Sequence, residues 1–171
     1  MTTLAIDDKQ IQALEQKFDP EMRFRPLAAG AATLVGGLLI LLSLFHYYTA
    51  GFGLLQETTH RGVHLAFVLG LIFLVFPHRH ALLERAAEHR LFAPGGVPWF
   101  DWLLAAGVAA AVLYIPYIFE DLTFRVGNPL TIDVVMGSIL VLALLEATRR
   151  SMGWPLPVIA LIFMGYALAG P

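Results

Sequence analysis

The stretch PLAAGAATLVGGLLILLSLFHY, residues 26–47, contains no Asp, Glu, Lys or Arg. About 20 consecutive apolar residues of helix are enough to cross the hydrocarbon core of a bilayer. The stretch also lacks the alternation of apolar and polar residues that marks a strand of a membrane barrel. Apart from closed barrels, only helices satisfy their own backbone hydrogen bonds in lipid. Residues 26–47 therefore predict a transmembrane helix.

Four further apolar runs follow, and together they predict an all-α integral membrane protein with a bundle of about five transmembrane helices. The third run is long enough to span, and the second and fourth are adequate if they extend into their flanks. The fifth is short, so a re-entrant or strongly tilted segment stays open. The predicted domains are an N-terminal segment over 1–25, a four-helix membrane domain over 26–150, and a connector-like fifth helix over 151–171. The four runs are Thr59 to Phe76, Trp99 to Phe119, Thr131 to Ala147 and Trp154 to Ala169.

The composition agrees with a membrane protein and excludes several functions. Hydrophobic residues make up 58% of the chain and charged residues 14%, with a mean hydropathy of +0.71. A formal charge of -2 without a basic block argues against a nucleic-acid partner. The absence of cysteine removes disulfides and thiolate chemistry. Nucleotide-binding, serine-hydrolase and metalloprotease motifs are also absent, so we expect no enzyme activity and no cofactor in this chain.

The distribution of positive charge predicts the orientation. Nine of the 11 lysines and arginines precede the first run, lie between the second and third, or lie between the fourth and fifth. Only Arg61 and Arg125 fall on the other side. The positive-inside rule then places the N-terminus in the cytoplasm, and five spans would place the C-terminus outside.

Two amphipathic stretches flank the predicted spans on the cytoplasmic side. In DDKQIQALEQKFDPEMRF, residues 7–24, apolar residues recur at helical spacing, and in HRHALLERAAEHRLF, residues 78–92, they share one face. Such patterns are typical of helices that lie in the membrane interface and hold a protein against the bilayer. An ordinary helical extension or a solvated loop remains the alternative for each.

Charged residues near the ends of the spans form two candidate sites. Glu146 lies one turn before Arg149 and Arg150, which predicts a structural ion pair on the helix surface. Glu120 and Asp121 end the third run with Arg125 nearby. These three residues could pair locally or form an external docking patch for a soluble partner, and the sequence leaves both readings open.

Small residues four apart recur in three of the predicted helices and would let helix backbones approach closely. We therefore expect helix packing at Ala32, Gly36, Ala66, Gly70, Ala106 and Ala110.

Histidines at membrane depth suggest an alternative, a haem-binding electron-transfer protein that uses His46 and His64. A stand-alone membrane sensor or accessory module is the other alternative.

Four stretches of the chain resemble a known transporter family. They run in the order YYTAGFGLLQETTHRGVHLAF, WFDWLLA, EDLTFRVGNPLTIDVVMG and LEATRRSMGWPLPVIALIFMGYALAGP. As a set they are similar to the N-terminal, small-membrane-domain region of fused permeases of tripartite ATP-independent periplasmic (TRAP) transporters, in the TAXI branch. The resemblance runs from about Tyr47 to Pro171.

This resemblance implies a division of labour in a bacterial or archaeal cytoplasmic membrane. A periplasmic binding protein would capture an organic acid, and a large transport domain would move it with a Na⁺ or H⁺ gradient. The small domain would brace the moving part, with the fifth helix as a connector, because in fused permeases the chain continues beyond the position of Gly170 and Pro171. Substrate and ion ligands would then belong to the large domain.

Overall fold

A computed structural model describes residues 11, 24–53, 55–78 and 94–170. In these residues it contains helices and turns but no strand. The predicted interfacial helices fall almost wholly outside the described residues. The helices are α1 (Ala29–Phe52), α2 (Glu57–Val75), α3 (Trp99–Tyr117), α4 (Phe119–Phe124), α5 (Thr131–Met152) and α6 (Pro155–Ala169), with a 3₁₀ turn at Pro94–Gly96 before α3.

Four of these helices, α1, α2, α3 and α5, are long and apolar enough to cross a membrane. The fifth predicted span, α6, has 15 residues and is shorter than the minimum of about 17 residues for a spanning helix. For the described residues, the structure thus confirms an all-helical fold with four candidate membrane spans.

The centre of the bundle is the pair α2 and α3, which pack along most of their length. Helix α5 contacts both, α1 lies against α2, and α6 lies against α5. Since α1, α2, α3 and α5 alternate in direction, the start of α1, the end of α2, the start of α3 and the end of α5 share one end of the bundle. The largest fully buried side chains include Phe73, Val97 and Asp101, all near this end.

A close approach between α2 and α3 depends on one glycine. A Cβ atom on Gly62 would lie 3.0 Å from Cγ of Pro116. Pro116 lies inside α3 near its end, and a proline at such a position leaves a carbonyl unpaired and kinks or ends the helix. Helix α3 ends at the next residue, Tyr117, and a separate short helix, α4, follows. Gly62 thus gives the proline ring room at the α2–α3 contact.

The turn before α3 holds the start of α1 in place. Gly95 and Gly96 both have positive φ angles, of 72° and 82°, which favour glycine. The carbonyl of Gly95 accepts a hydrogen bond from the Ala28 backbone at 3.0 Å, and the Arg25 backbone N–H donates to Val75 at 2.9 Å. These contacts fix the chain just before α1 against the ends of α2 and α3.

Within the described residues, the structure buries one of the six residues of the helix-packing prediction. Ala66 is buried, but Ala32, Ala106 and Ala110 are exposed. Among the described residues, no atom of a neighbouring helix lies within 4 Å of a Cβ position on Gly36 or Gly70. The buried face of α3 is offset by one residue from the predicted one and consists of Asp101, Ala105, Val108, Ala111 and Val112.

Candidate functional site

A cluster of charged side chains is buried at the end of the bundle where α3 begins. Asp101, in the first turn of α3, is fully buried. Its carboxylate accepts a hydrogen bond from Arg25 Nη2 at 2.5 Å and another from Arg150 Nη1 at 2.8 Å. Both guanidinium groups are themselves almost completely buried. We call the group of Arg25, Asp101, Glu146, Arg149 and Arg150 the inner charge cluster.

Glu146 joins the two neighbouring arginines of α5 to this cluster. Arg149 donates to its carboxylate through Nε at 2.7 Å and Nη2 at 2.8 Å, and Arg150 donates through Nε at 2.8 Å. The structure thus brings Glu146, Arg149 and Arg150 together, as the helical spacing predicted. Arg150 reaches further than predicted, because it also binds Asp101 on α3.

Aromatic rings support both arginines. The guanidinium carbon of Arg150 lies 5.0 Å from the ring centre of Phe73, and that of Arg149 lies 5.5 Å from the ring centre of Trp154. Cations at such distances are attracted to the ring face, more strongly when water is excluded. Arg150 is therefore held on three sides, by two carboxylates and the ring of Phe73.

The inner charge cluster ties together segments that are far apart in sequence. Arg25 precedes α1, Asp101 begins α3, and Arg150 lies near the end of α5. Replacing a buried ion pair by apolar residues is often neutral, whereas removing one partner is strongly unfavourable. The contribution of such a cluster therefore lies in fixing how the segments meet, since any other arrangement would leave a buried charge unpaired.

His78 lies beside this cluster, just beyond α2. Its Nε2 atom lies 3.4 Å from Arg149 Nη2 and 3.5 Å from a Glu146 carboxylate oxygen. Burial lowers the pKa of His78 below its ordinary value, and the positive charge of Arg150 lowers that pKa further. A neutral imidazole can accept a hydrogen bond from Arg149, so His78 adds no positive charge to the cluster at neutral pH.

A second ionic group lies at the opposite end of the bundle. Arg125 forms a salt bridge with Asp133, in the first turn of α5, and Tyr114 of α3 donates a hydrogen bond to the same carboxylate at 2.5 Å. The Asp133 carboxylate also accepts the Leu130 backbone N–H at 2.8 Å, which stabilises the start of α5. We call Tyr114, Arg125 and Asp133 the outer ionic group.

This arrangement separates Arg125 from the two acids of the predicted docking patch, and docking itself stays a prediction. Arg125 pairs with Asp133, and its side chain is only 20% exposed. Glu120 and Asp121 lie in the exposed helix α4. The three residues therefore do not form one patch, since Arg125 is held in the bundle while the two acids face outward.

The two histidines of the haem alternative lie together, in direct contact. His46 Nε2 of α1 lies 2.8 Å from His64 Nδ1 of α2. With metal–nitrogen bonds of about 2.0 Å, two nitrogens on opposite sides of an iron atom lie about 4 Å apart. The rings would have to separate to admit a haem. Within the described residues, no group of three or more His, Asp or Glu side chains could hold a metal ion.

Sequence reasoning missed Asp101, Arg25, Tyr114 and Asp133 as members of these ionic groups. The positions of Asp101 and Arg25 in the sequence could have indicated that they belong to an ionic group. Arg25 lies just before the first apolar run and Asp101 at the start of the third, both at ends assigned to the cytoplasmic side, as are Arg149 and Arg150, and charges at one end of a bundle tend to pair.

The inner charge cluster and the outer ionic group are thus contacts between helices at the two ends of a bundle of membrane-length helices. In comparisons with known proteins, no family model, no curated protein and no solved structure matches the chain.

Proposed function

We propose that this chain is the fixed frame of a TRAP-type secondary transporter for organic acids, corresponding to its small membrane domain. The observation that carries the proposal is the inner charge cluster. It joins the segment before α1 to α3 and α5, so the helices are held to one another rather than free to slide. A rigid frame of this kind provides a fixed surface against which a transport domain moves.

The placement of charge supports a bracing role. Secondary transporters bind substrate and ions near the bilayer midplane, commonly on interrupted helices. In the described helices the ionised side chains lie toward the two ends, in the inner charge cluster, the outer ionic group, the Glu57–Arg61 pair and the two acids of α4, Glu120 and Asp121. Substrate and the coupling Na⁺ or H⁺ are therefore assigned to the partner transport domain.

Helices α5 and α6 offer a large apolar surface for that domain. Pro157 is the one buried residue of α6. One face of α5 is also exposed and apolar, with Ile132, Val135, Ile139 and Leu142 all at least 40% exposed. Between the two helices lies a groove that includes Gly137, Ser138 and Met164. Small residues permit close approach of another helix in a membrane, so we place the transport domain on this side.

The end of the bundle around α4 is the proposed docking surface for the periplasmic binding protein. Tyr117, Phe124 and Val126 are 88%, 91% and 83% exposed, and the acids Glu120 and Asp121 lie among them. Because Arg125 is paired with Asp133, these acids give the surface a negative charge. A partner with a basic rim around an apolar contact would fit it.

The double substitution Glu120→Lys and Asp121→Lys tests this surface. We expect the association rate of the binding protein to fall by about tenfold at low salt, because charges at an interface rim mainly steer encounter. Surface plasmon resonance at two salt concentrations measures this association rate. The matched control is Glu57→Lys, an exposed acid in an ion pair at the same end of the bundle. Equal rates for the double variant and the control would contradict the assignment.

Copurification tests the proposal as a whole. The tagged chain should copurify with a transport domain that is encoded beside it and expressed with it. Calorimetry should detect no binding of organic acids to the isolated chain. Saturable carboxylate binding by the chain alone would place the substrate site here and overturn the frame assignment. The reading frame after Pro171 separates this proposal from a stand-alone sensor or accessory module, which would have no permease gene nearby.

A further inference from the structure

The histidine pair joins α1 to α2 through a single hydrogen bond. His46 Nε2 and His64 Nδ1 are 2.8 Å apart, and one of them must donate while the other accepts. In the described part of the chain this is the one hydrogen bond between a residue of α1 and a different helix. The backbone hydrogen bonds that fix the start of this region involve Arg25 and Ala28, which precede α1.

The remaining contacts of this end of α1 are apolar or internal. Thr49 is buried, but its hydroxyl donates to the carbonyls of Phe45 and His46 within its own helix. Phe45 stacks on His60 of α2 with ring centres 5.2 Å apart. The histidine hydrogen bond is therefore the directional contact that fixes the C-terminal part of α1 on α2.

We propose that the His46–His64 hydrogen bond is a proton-sensitive latch, which holds the end of α1 on α2 until both rings carry a proton. With both rings neutral, one N–H donates to the other ring. With one proton added, an imidazolium donates to a neutral ring, and the bond becomes stronger because it is charge-assisted. With two protons, both nitrogens are donors, no acceptor remains, and two positive charges face each other.

The surroundings give protons access to the latch and identify the other groups that face it. A pocket of about 510 Å³ is lined by His46 and His60, together with Glu57 and Arg61, and His64 is exposed. The ring of His60 lies 5.1 Å from that of His46, and Glu57 is paired with Arg61 on α2. Helices α3 and α5 contribute only Val112, Ile115, Pro116 and Leu140 to the neighbouring pocket on the other side of Glu57 and Arg61.

With these neighbours, histidine is the group in this region that responds to pH. The charges of Glu57 and Arg61 offset one another, and the facing side chains of α3 and α5 do not titrate. Histidine is the side chain whose ordinary pKa lies within the range from about pH 5 to about pH 8. The latch is independent of the transporter assignment, because it rests on the contact of α1 with α2 alone.

The absence of cysteine in the chain makes a direct distance measurement possible. Spin labels at Tyr48→Cys on α1 and Tyr117→Cys on α3 occupy exposed positions, and the full chain is placed in lipid nanodiscs. Electron paramagnetic resonance then gives the distance distribution between the labels. We expect one narrow distribution near pH 8 and a longer, broader one at about pH 4, because the second proton must bind beside the positive charge of the first and therefore binds below the ordinary range of histidine.

Three variants separate the latch from other effects of acid. His64→Gln keeps a donor and an acceptor but takes up no proton, so its distribution should stay narrow at both pH values. His46→Phe removes the bond and should give the broad distribution at both. His78→Gln is the matched control, because it removes a titratable histidine at the opposite end of the bundle, and it should show the same response to pH as the parent protein. A parent distribution that does not change with pH, or a response that survives in His64→Gln, would overturn the proposal.

Discussion

Asp101→Asn is expected to lower the free energy of unfolding by about 3–5 kcal/mol, the range for removing one partner from a buried ionic pair. The substitution preserves the size of the side chain and removes its charge. Arg25 and Arg150 are both almost completely buried and both bind this carboxylate. Arg150 would keep Glu146, but Arg25 would lose its charged partner, since its other terminal nitrogen, Nη1, is buried without a hydrogen bond.

Reversible unfolding of the protein in mixed micelles measures this change. Glu57→Gln is the control, because it removes the same kind of charge from the Glu57–Arg61 pair, in which both side chains are more than 70% exposed. Surface pairs contribute little to stability. If Asp101→Asn is no more destabilising than Glu57→Gln, the inner charge cluster does not hold the helices together.

Phe73→Ala should lower the free energy of unfolding by about 3–5 kcal/mol, as is usual for a buried phenylalanine. Phe73 is fully buried and is among the largest side chains of the core. The substitution leaves a cavity between packed helices, and it also removes the ring under the Arg150 guanidinium. The same unfolding measurement gives the size of the effect.

Phe163→Ala provides the comparison for this prediction. Phe163 lies on α6 and is 69% exposed, so its removal creates no cavity in the bundle. We expect a small change in unfolding free energy. Equal losses for the two variants would mean that the contacts of Phe73 do not determine the packing of α2 with its neighbours.

The helices could be predicted from the sequence because the apolar runs have the length and composition of membrane-spanning helices. Residues 26–47 fall largely within α1, and the run that begins at Thr131 begins α5. The helix ends were less certain, since α5 continues to Met152, beyond the apolar run, and carries Arg149 and Arg150 on its last turns. Hydropathy alone does not show whether charged residues at the end of an apolar run lie inside or outside the helix.

The buried face of each helix could not be predicted in this way. A helix of a soluble protein shows its core face by an apolar stripe, but a membrane helix is apolar on all sides. The packing prediction for α3 therefore chose Ala106 and Ala110, while the structure buries Ala105 and Val108. An error of one residue rotates the helix by about 100°, given 3.6 residues per turn.

The same limit explains which ionic contacts could be predicted from the sequence and which could not. Glu146 with Arg149 and Arg150 was predictable, because a helix brings residues three and four apart together. Asp101 binds Arg25 and Arg150, which lie 76 and 49 residues away. Such partners depend on the rotation of α3 and α5 and on the path of the chain before α1. Arg125 likewise pairs with Asp133 across the connection from α4 to α5, rather than with its nearer neighbours Glu120 and Asp121.

Transport in a reconstituted system tests the frame assignment most directly. The measurement is uptake of a labelled organic acid into proteoliposomes, driven by an ion gradient, with the binding protein present and the transport domain inserted with or without this chain. We expect uptake with both proteins, and uptake at background without the chain or with Asp101→Asn in its place. Equal uptake by the transport domain alone would contradict the frame assignment.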